Sequence, residues 1–176
     1  MHEATMEDTP YGRRASSDGW FVLNLAEAPA VRNEEKGGAT YQFESDAAPF
    51  RQVGVKVKIL WPGVPNGHYH AEDAQEGFLV LSGVCTLVVE DEQRTLRQWD
   101  YFHCPAGTRH ICVGAGDEPC AILMVGARPV EEIVYPVSEV AAKYGASAAK
   151  TTNDPDEAYA DWPGEWIPVR LPWPVE

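Results

Sequence analysis

Five histidines are present in the 176-residue chain, and three of them stand where they can act together. His68 and His70 are one residue apart, Glu76 follows within a few positions, and His110 comes later, just after Pro105-Ala106-Gly107. On an extended chain, side chains at i and i+2 point to the same side, so both imidazoles of the pair can reach one point. A carboxylate from the next strand and a third imidazole from a later hairpin complete a set of three neutral nitrogens and one carboxylate. Such a set suits a divalent first-row metal (Fe, Mn, Ni, Cu, Co or Zn) and leaves one or two positions open for water or substrate. Taken singly, each residue has a plainer reading: His68 and His70 as exposed turn histidines, Glu76 as a solvated strand residue, His110 as a core histidine. His103 and Tyr101 are weaker candidates: they share side-chain parity on the strand leading to Pro105, where one of them can line a cavity as an acid or base.

Short runs of β-branched and aromatic residues would position these groups: Trp20–Leu25, Thr40–Phe43, Val53–Trp61, Phe78–Leu81, Val84–Val89, Tyr101–Cys104, His110–Val113 and Ala121–Val125. Turn residues separate most of them at the 8 to 12 residue spacing that marks a sandwich or barrel of antiparallel strands. The clearest run is Val53–Trp61, where Val53, Val55, Val57, Ile59 and Trp61 share one face and Lys56 and Lys58 the other, as in a half-buried strand. The expected organisation is a flexible arm over 1–18, an all-β barrel over 19–128, and an appendage over 129–176. That appendage holds seven of the 14 prolines and three of the six tryptophans. Within it Ser138 caps a short helix over Glu139–Tyr144, and Asp154-Pro155-Asp156-Glu157 starts another. The stretch from Trp162 onward is expected to be extended, with Trp162, Trp166 and Trp173 against the barrel exterior or a partner subunit.

Composition narrows the function. With 27 acidic residues against 14 basic ones the net charge is −13, which disfavours nucleic acids and anionic membrane surfaces. Residues 1–17 carry Glu, Asp and Arg where a secretory signal needs an apolar run, and no run reaches the ~20 apolar residues of a spanning helix, so the expected location is the cytoplasm. Cys85, Cys104, Cys112 and Cys120 show no C-x-x-C spacing and read as small buried apolar residues. The sequence holds no G-x-S-x-G elbow, Walker A loop or G-x-G-x-x-G strand-helix unit.

The spacing resembles that of the cupins, whose two motifs are G-x5-H-x-H-x(3,4)-E-x6-G and G-x5-P-x-G-x2-H-x3-N. The first reads here as Gly63, His68, His70, Glu76 and Gly83, the second as Pro105, Gly107 and His110. Two loops differ: four residues separate Gly63 from His68, and five separate His70 from Glu76. Gln75 stands at the family's spacing, whereas Glu76 keeps the register with Gly83. Trp99 takes the place of the second motif's glycine and Gly114 that of its asparagine. The resemblance implies a single antiparallel jelly-roll barrel, a divalent transition metal on His68, His70, Glu76 and His110, a small-molecule ligand or substrate, and a homodimer. It further implies a dioxygenase-like enzyme first and an isomerase or lyase next; the alternative is a metal-containing binding or sensing protein without turnover.

Overall fold

The alternating run at Val53 is the spine of the molecule. The computed structural model describes residues 2–36, 38–162 and 164–175. A hairpin of β1 (Met6–Thr9) and β2 (Gly12–Ala15) comes first, where composition suggests a flexible arm. Next come β3 (Ala30–Asn33), β4 (Ala39–Gln42), β5 (Val53–Leu60), β6 (Ala71–Glu72), β7 (Glu76–Ser82), β8 (Val84–Val89) and β9 (Glu92–Arg97). The barrel continues with β10 (Tyr101–Cys104), β11 (His110–Ala115) and β12 (Cys120–Ala127), followed by β13 (Ile133–Val134), α1 (Glu139–Ala142), α2 (Pro155–Ala158) and β14 (Trp166–Val169). The expected run Trp20–Leu25 is not a strand: Trp20 makes an isolated bridge to Glu3, and a 3-10 turn begins at Leu25.

Two antiparallel sheets face each other, one ordered β10-β7-β12-β5-β4-β3-β14 and the other β11-β8-β9. Leu60, Phe78, Val80, Ile122 and Met124 of the long sheet meet Cys85, Leu87 and Cys112 of the short one, with Cys104 and Cys120 in the same core. All four cysteines are buried and unpaired with one another by disulfide, as their spacing suggests. This is the jelly-roll form, in which paired sheets turn alternate residues of each strand inward.

The valine face of β5 points away from that core. Val57 and Ile59 pack outside it with Ala28, Ala30, Ala39, Tyr41 and Ala121, under a cover that includes Leu171, Trp173 and Val175. Lys56 and Lys58 therefore point inward with Leu60. The half-buried reading of β5 needs this correction: its second half is covered on both faces, and the face with the lysines is the interior one. Both short helices appear where their caps predict, with Ser138 and Asp154 as the N-caps. The α1 segment, with Ala141 and Ala146, covers Tyr69, Val88 and Ile111.

Trp99, at φ +74, adopts the left-handed backbone for which the cupin motif supplies a glycine, and its side chain is 67% exposed. Gly114 stands where the backbone leaves no room, since a Cβ there would lie 2.2 Å from the Trp61 carbonyl oxygen.

Candidate metal centre

Strand register carries three of the expected residues to one place. His70 and His110 are cross-strand neighbours that exchange both backbone hydrogen bonds, His70 N to His110 O at 3.2 Å and His110 N to His70 O at 2.8 Å. Their ring centroids are 4.8 Å apart. Glu76 opens β7 opposite Cys104 of β10 and Gly126 of β12, sharing inward parity with Phe78 and Val80. One ligand atom from each of His70, Glu76 and His110 lies within 4.8 Å of the others.

Both imidazoles are aimed by their far nitrogens. His70 Nδ1 lies 2.7 Å from the His68 carbonyl oxygen, and His110 Nδ1 lies 3.0 Å from that of Thr108. A carbonyl only accepts, so each Nδ1 carries the proton and each Nε2 is left as the donor atom for a metal. His110 Nε2 is buried and without a hydrogen-bond partner, 3.2 Å from Glu76 Oε2. Burial lowers the basicity of His110, but the adjoining Cys104 thiol and Glu76 carboxylate outweigh it and push the pKa up to about 10. The site therefore favours positive charge between Nε2 and the carboxylate, and a divalent cation meets that demand with the same donors.

His68 is not among the three residues whose ligand atoms group within 4.8 Å, although its ring Nδ1 is likewise buried without a hydrogen-bond partner. Residues 66–68 form a bend, so the period-two parity of a strand does not hold across His68 and His70. The backbone N–H of His68 donates to the Tyr159 hydroxyl at 2.9 Å, and its ring lies 4.6 Å from both Tyr159 and Trp162. Burial lowers its pKa. Glu72, two residues beyond His70 on β6, takes the adjacent place: its Oε1 is 3.6 Å from His70 Nε2. Hydrogen bonding to His70 holds the Glu72 carboxyl below its usual range. The spacing His70-x-Glu72 was the available signal for it, since the same parity argument applies once the strand resumes.

His103 and Tyr101 do not line the cavity. Register pairs them with Gly77 and Leu79 on the outer face, His103 is exposed, and Tyr101 is 61% exposed. The inward residues of β10 are Phe102 and Cys104, and Cys104 Sγ lies 3.4 Å from His110 Nδ1.

A cavity of about 280 Å³ opens onto the centre. Its lining includes the acidic and metal-type donors His70, Glu72 and Glu76, the cations Lys36, Lys56 and Lys58, and the aromatic rings of Tyr135, Tyr159, Trp162 and Trp166. Trp162 and Trp166, expected on the barrel exterior or a partner subunit, line this cavity; Trp173 packs edge-on against Tyr41 on the outer face. Tyr135 and Tyr159 could not be read from the sequence because their places depend on where the last fifty residues fold back, and Lys56 and Lys58 because alternation does not say which face of β5 is inside.

Residues 57–126 match the family model described as a cupin domain. Solved structures agree in fold. A sugar phosphate isomerase of the cupin superfamily from Silicibacter pomeroyi aligns at TM-score 0.57 and 21% identity, over 76% of this chain and 92% of that one. The polyketide cyclase RemF from Streptomyces resistomycificus aligns at TM-score 0.57 and 14% identity, over 82% and 95%. A predicted oxalate decarboxylase from Thermotoga maritima aligns at TM-score 0.54 and 18% identity, over 62% and 100%. No curated protein matches the sequence. With a jelly roll of facing antiparallel sheets and a family model matching across its centre, residues 57–126 are similar to a cupin domain and the chain has the cupin fold.

Proposed function

We propose that this cupin is a metal-dependent enzyme acting on a small organic molecule held in the cavity beside His70, Glu76 and His110. The observation that carries the reading is the buried, unpartnered Nε2 of His110, grouped within 4.8 Å with a ligand atom of His70 and one of Glu76. Two histidines and one carboxylate form the donor set of non-haem oxygenase sites, which favours dioxygenase-like chemistry over isomerisation or lyase chemistry. A bound divalent metal supplies Lewis acidity toward a substrate oxygen and, when redox-active, access to dioxygen. The protein's own groups do the rest. Thr108 and His68 carbonyls fix the two imidazoles, and the Glu76 carboxylate balances charge. Tyr135, whose phenol burial holds in the protonated form, is a hydrogen-bond donor on the cavity wall. Tyr159 and Trp162, packed against one another, add apolar surface to the lining.

Elemental analysis of protein purified without chelators or a metal-binding tag tests this. About one Fe, Mn, Ni, Cu, Co or Zn per chain is expected, with loss in Glu76→Ala and His110→Ala and retention in His103→Ala. Glu72→Ala is expected to weaken metal affinity ~10- to 100-fold, as a residue next to a ligand does, and more than His68→Ala. A parent protein that takes up no divalent metal on reconstitution overturns the proposal.

A further inference from the structure

Three of the chain's five lysines, Lys36, Lys56 and Lys58, line this one cavity in a protein whose net charge is −13. Lys58 is the most deeply set. It projects from β5 between Thr40 of β4 and Ile122 of β12, and it is 8% exposed. A buried ammonium is costly unless something compensates it. Yet the only lysine in an ion pair among the described residues is Lys150, far along the chain. What Lys58 has instead is the face of Trp166, 4.7 Å from Nζ, while Lys36 Nζ lies 4.4 Å over Trp162. Cation–π contact offsets only part of the desolvation.

The acidic residues of the cavity are already engaged, Glu72 with His70 at 3.6 Å and Glu76 with His110 at 3.2 Å. The buried charge left uncompensated is therefore that of Lys58, with Lys36 and Lys56 on the same cavity lining. Lys56 and Lys58, with Trp166, also border a larger groove of about 1110 Å³, so the lysines are approached from a wide opening.

We propose that the cavity binds a small organic anion, whose carboxylate or phosphoryl group docks on Lys58 with Lys36 and Lys56 while the rest of the molecule faces His70, Glu76 and His110. The orientation toward the histidines rests on the metal-enzyme reading above; the anion subsite stands on the lysines alone. Burial and the neighbouring Lys56 hold the Lys58 pKa down to about 7. An anion on Nζ favours the charged form, so binding at pH 8 takes up protons.

Calorimetric titration of the chelator-treated full-length protein with inorganic phosphate and with succinate, at low salt, tests the subsite. One of the two anions is expected to bind, telling phosphoryl from carboxylate recognition, with proton uptake seen as a dependence of heat on buffer ionisation enthalpy. Lys58→Met should weaken binding at least ~10-fold and abolish the proton uptake, as loss of a charge-assisted contact requires. Lys143→Met, outside the cavity, should change neither. Binding of neither anion, or equal binding by parent and Lys58→Met, overturns the proposal. Repeating the titration with His110→Ala separates the two readings: Lys58-dependent binding that persists there supports the subsite whether or not the parent holds a metal.

Discussion

Lys58 concentrates the tension between stability and binding in one side chain. Its pKa in the folded chain is about 7 against an ordinary 10.5, so the folded state binds fewer protons than the unfolded state between those values. Stability therefore rises with pH through that window, and the penalty is complete below pH 7, where the amine is charged in both states. A shift of this size corresponds to roughly 5 kcal/mol, reduced by the Trp166 contact to a few kcal/mol. Lys58→Met keeps the length of the side chain without its charge. It should be more stable than the parent by ~2–4 kcal/mol at pH 6, the gap closing as pH approaches 10. Urea unfolding at pH 6, 8 and 10 measures it; the other charged groups lining the cavity, Lys36, Lys56, His70, Glu72 and Glu76, are common to both proteins. A gap independent of pH would mean that the ammonium is solvated. The sequence showed the alternation that sets Lys58 apart from its valine neighbours. It did not show which face is inside, because periodicity separates the two faces of a strand but does not name the covered one when both are covered.

At the scale of elements, the sequence was legible wherever a regular strand or a helix cap governed. The residues of β8 and β10 coincide with runs visible in the sequence, and the caps of α1 and α2 are the residues read as caps. It failed at irregular backbone and at polar edges. The bend at 66–68 interrupts the strand parity by which His68 pairs with His70, and β9, Glu-Gln-Arg-Thr-Leu-Arg, is an exposed edge strand whose charges hide it. The β8–β9 turn joins both cases: Glu90 and Asp91 sit at φ +48 and +61 without a glycine. Neighbours hold them there. Arg109 donates to Glu90 through its backbone N–H and its guanidinium, the Tyr69 hydroxyl accepts from the Asp91 N–H, and the Ser138 hydroxyl donates to Asp91 Oδ1 at 2.6 Å. Ser138 Oγ also accepts from the Ala141 N–H, so one buried hydroxyl caps α1 and pins the turn. Ser138→Ala should cost about 2 kcal/mol, the upper range for an N-cap, because the charge-assisted hydrogen bond to Asp91 is lost as well. Asp154→Ala, an exposed cap on α2, should cost only about 0.5–1 kcal/mol. Equal losses in thermal unfolding would show that the Asp91 contact adds nothing.

For the molecule as a whole, the tail does two different things with two tryptophans. Past α2 the chain returns to the long sheet as β14, pairing with β3, and then runs beneath Tyr41, whose hydroxyl donates to the Pro172 carbonyl at 2.8 Å. Trp173 meets the Tyr41 ring edge-on at 6.1 Å in the outer core, remote from the histidines by the full thickness of the sheet. Trp166 lies one strand-length earlier, 44% exposed, with its ring over Lys58 in the cavity wall. Packing energy and binding energy are thus assigned to separate side chains of one segment. Trp173→Ala should lower stability by roughly 2 kcal/mol, less than the 3–5 kcal/mol of a fully buried tryptophan because it is partly exposed, and should leave metal content and phosphate or succinate affinity unchanged. Trp166→Ala should cost under about 1 kcal/mol of stability, since much of its ring is already in water, yet change anion affinity and the Lys58 titration by removing the surface on which the ammonium rests. Urea unfolding and calorimetric titration of the two variants side by side decide the matter. Two variants that lose stability and affinity together would mean that the tail is one cooperative cover, with the cavity depending on its packing and not on Trp166 itself.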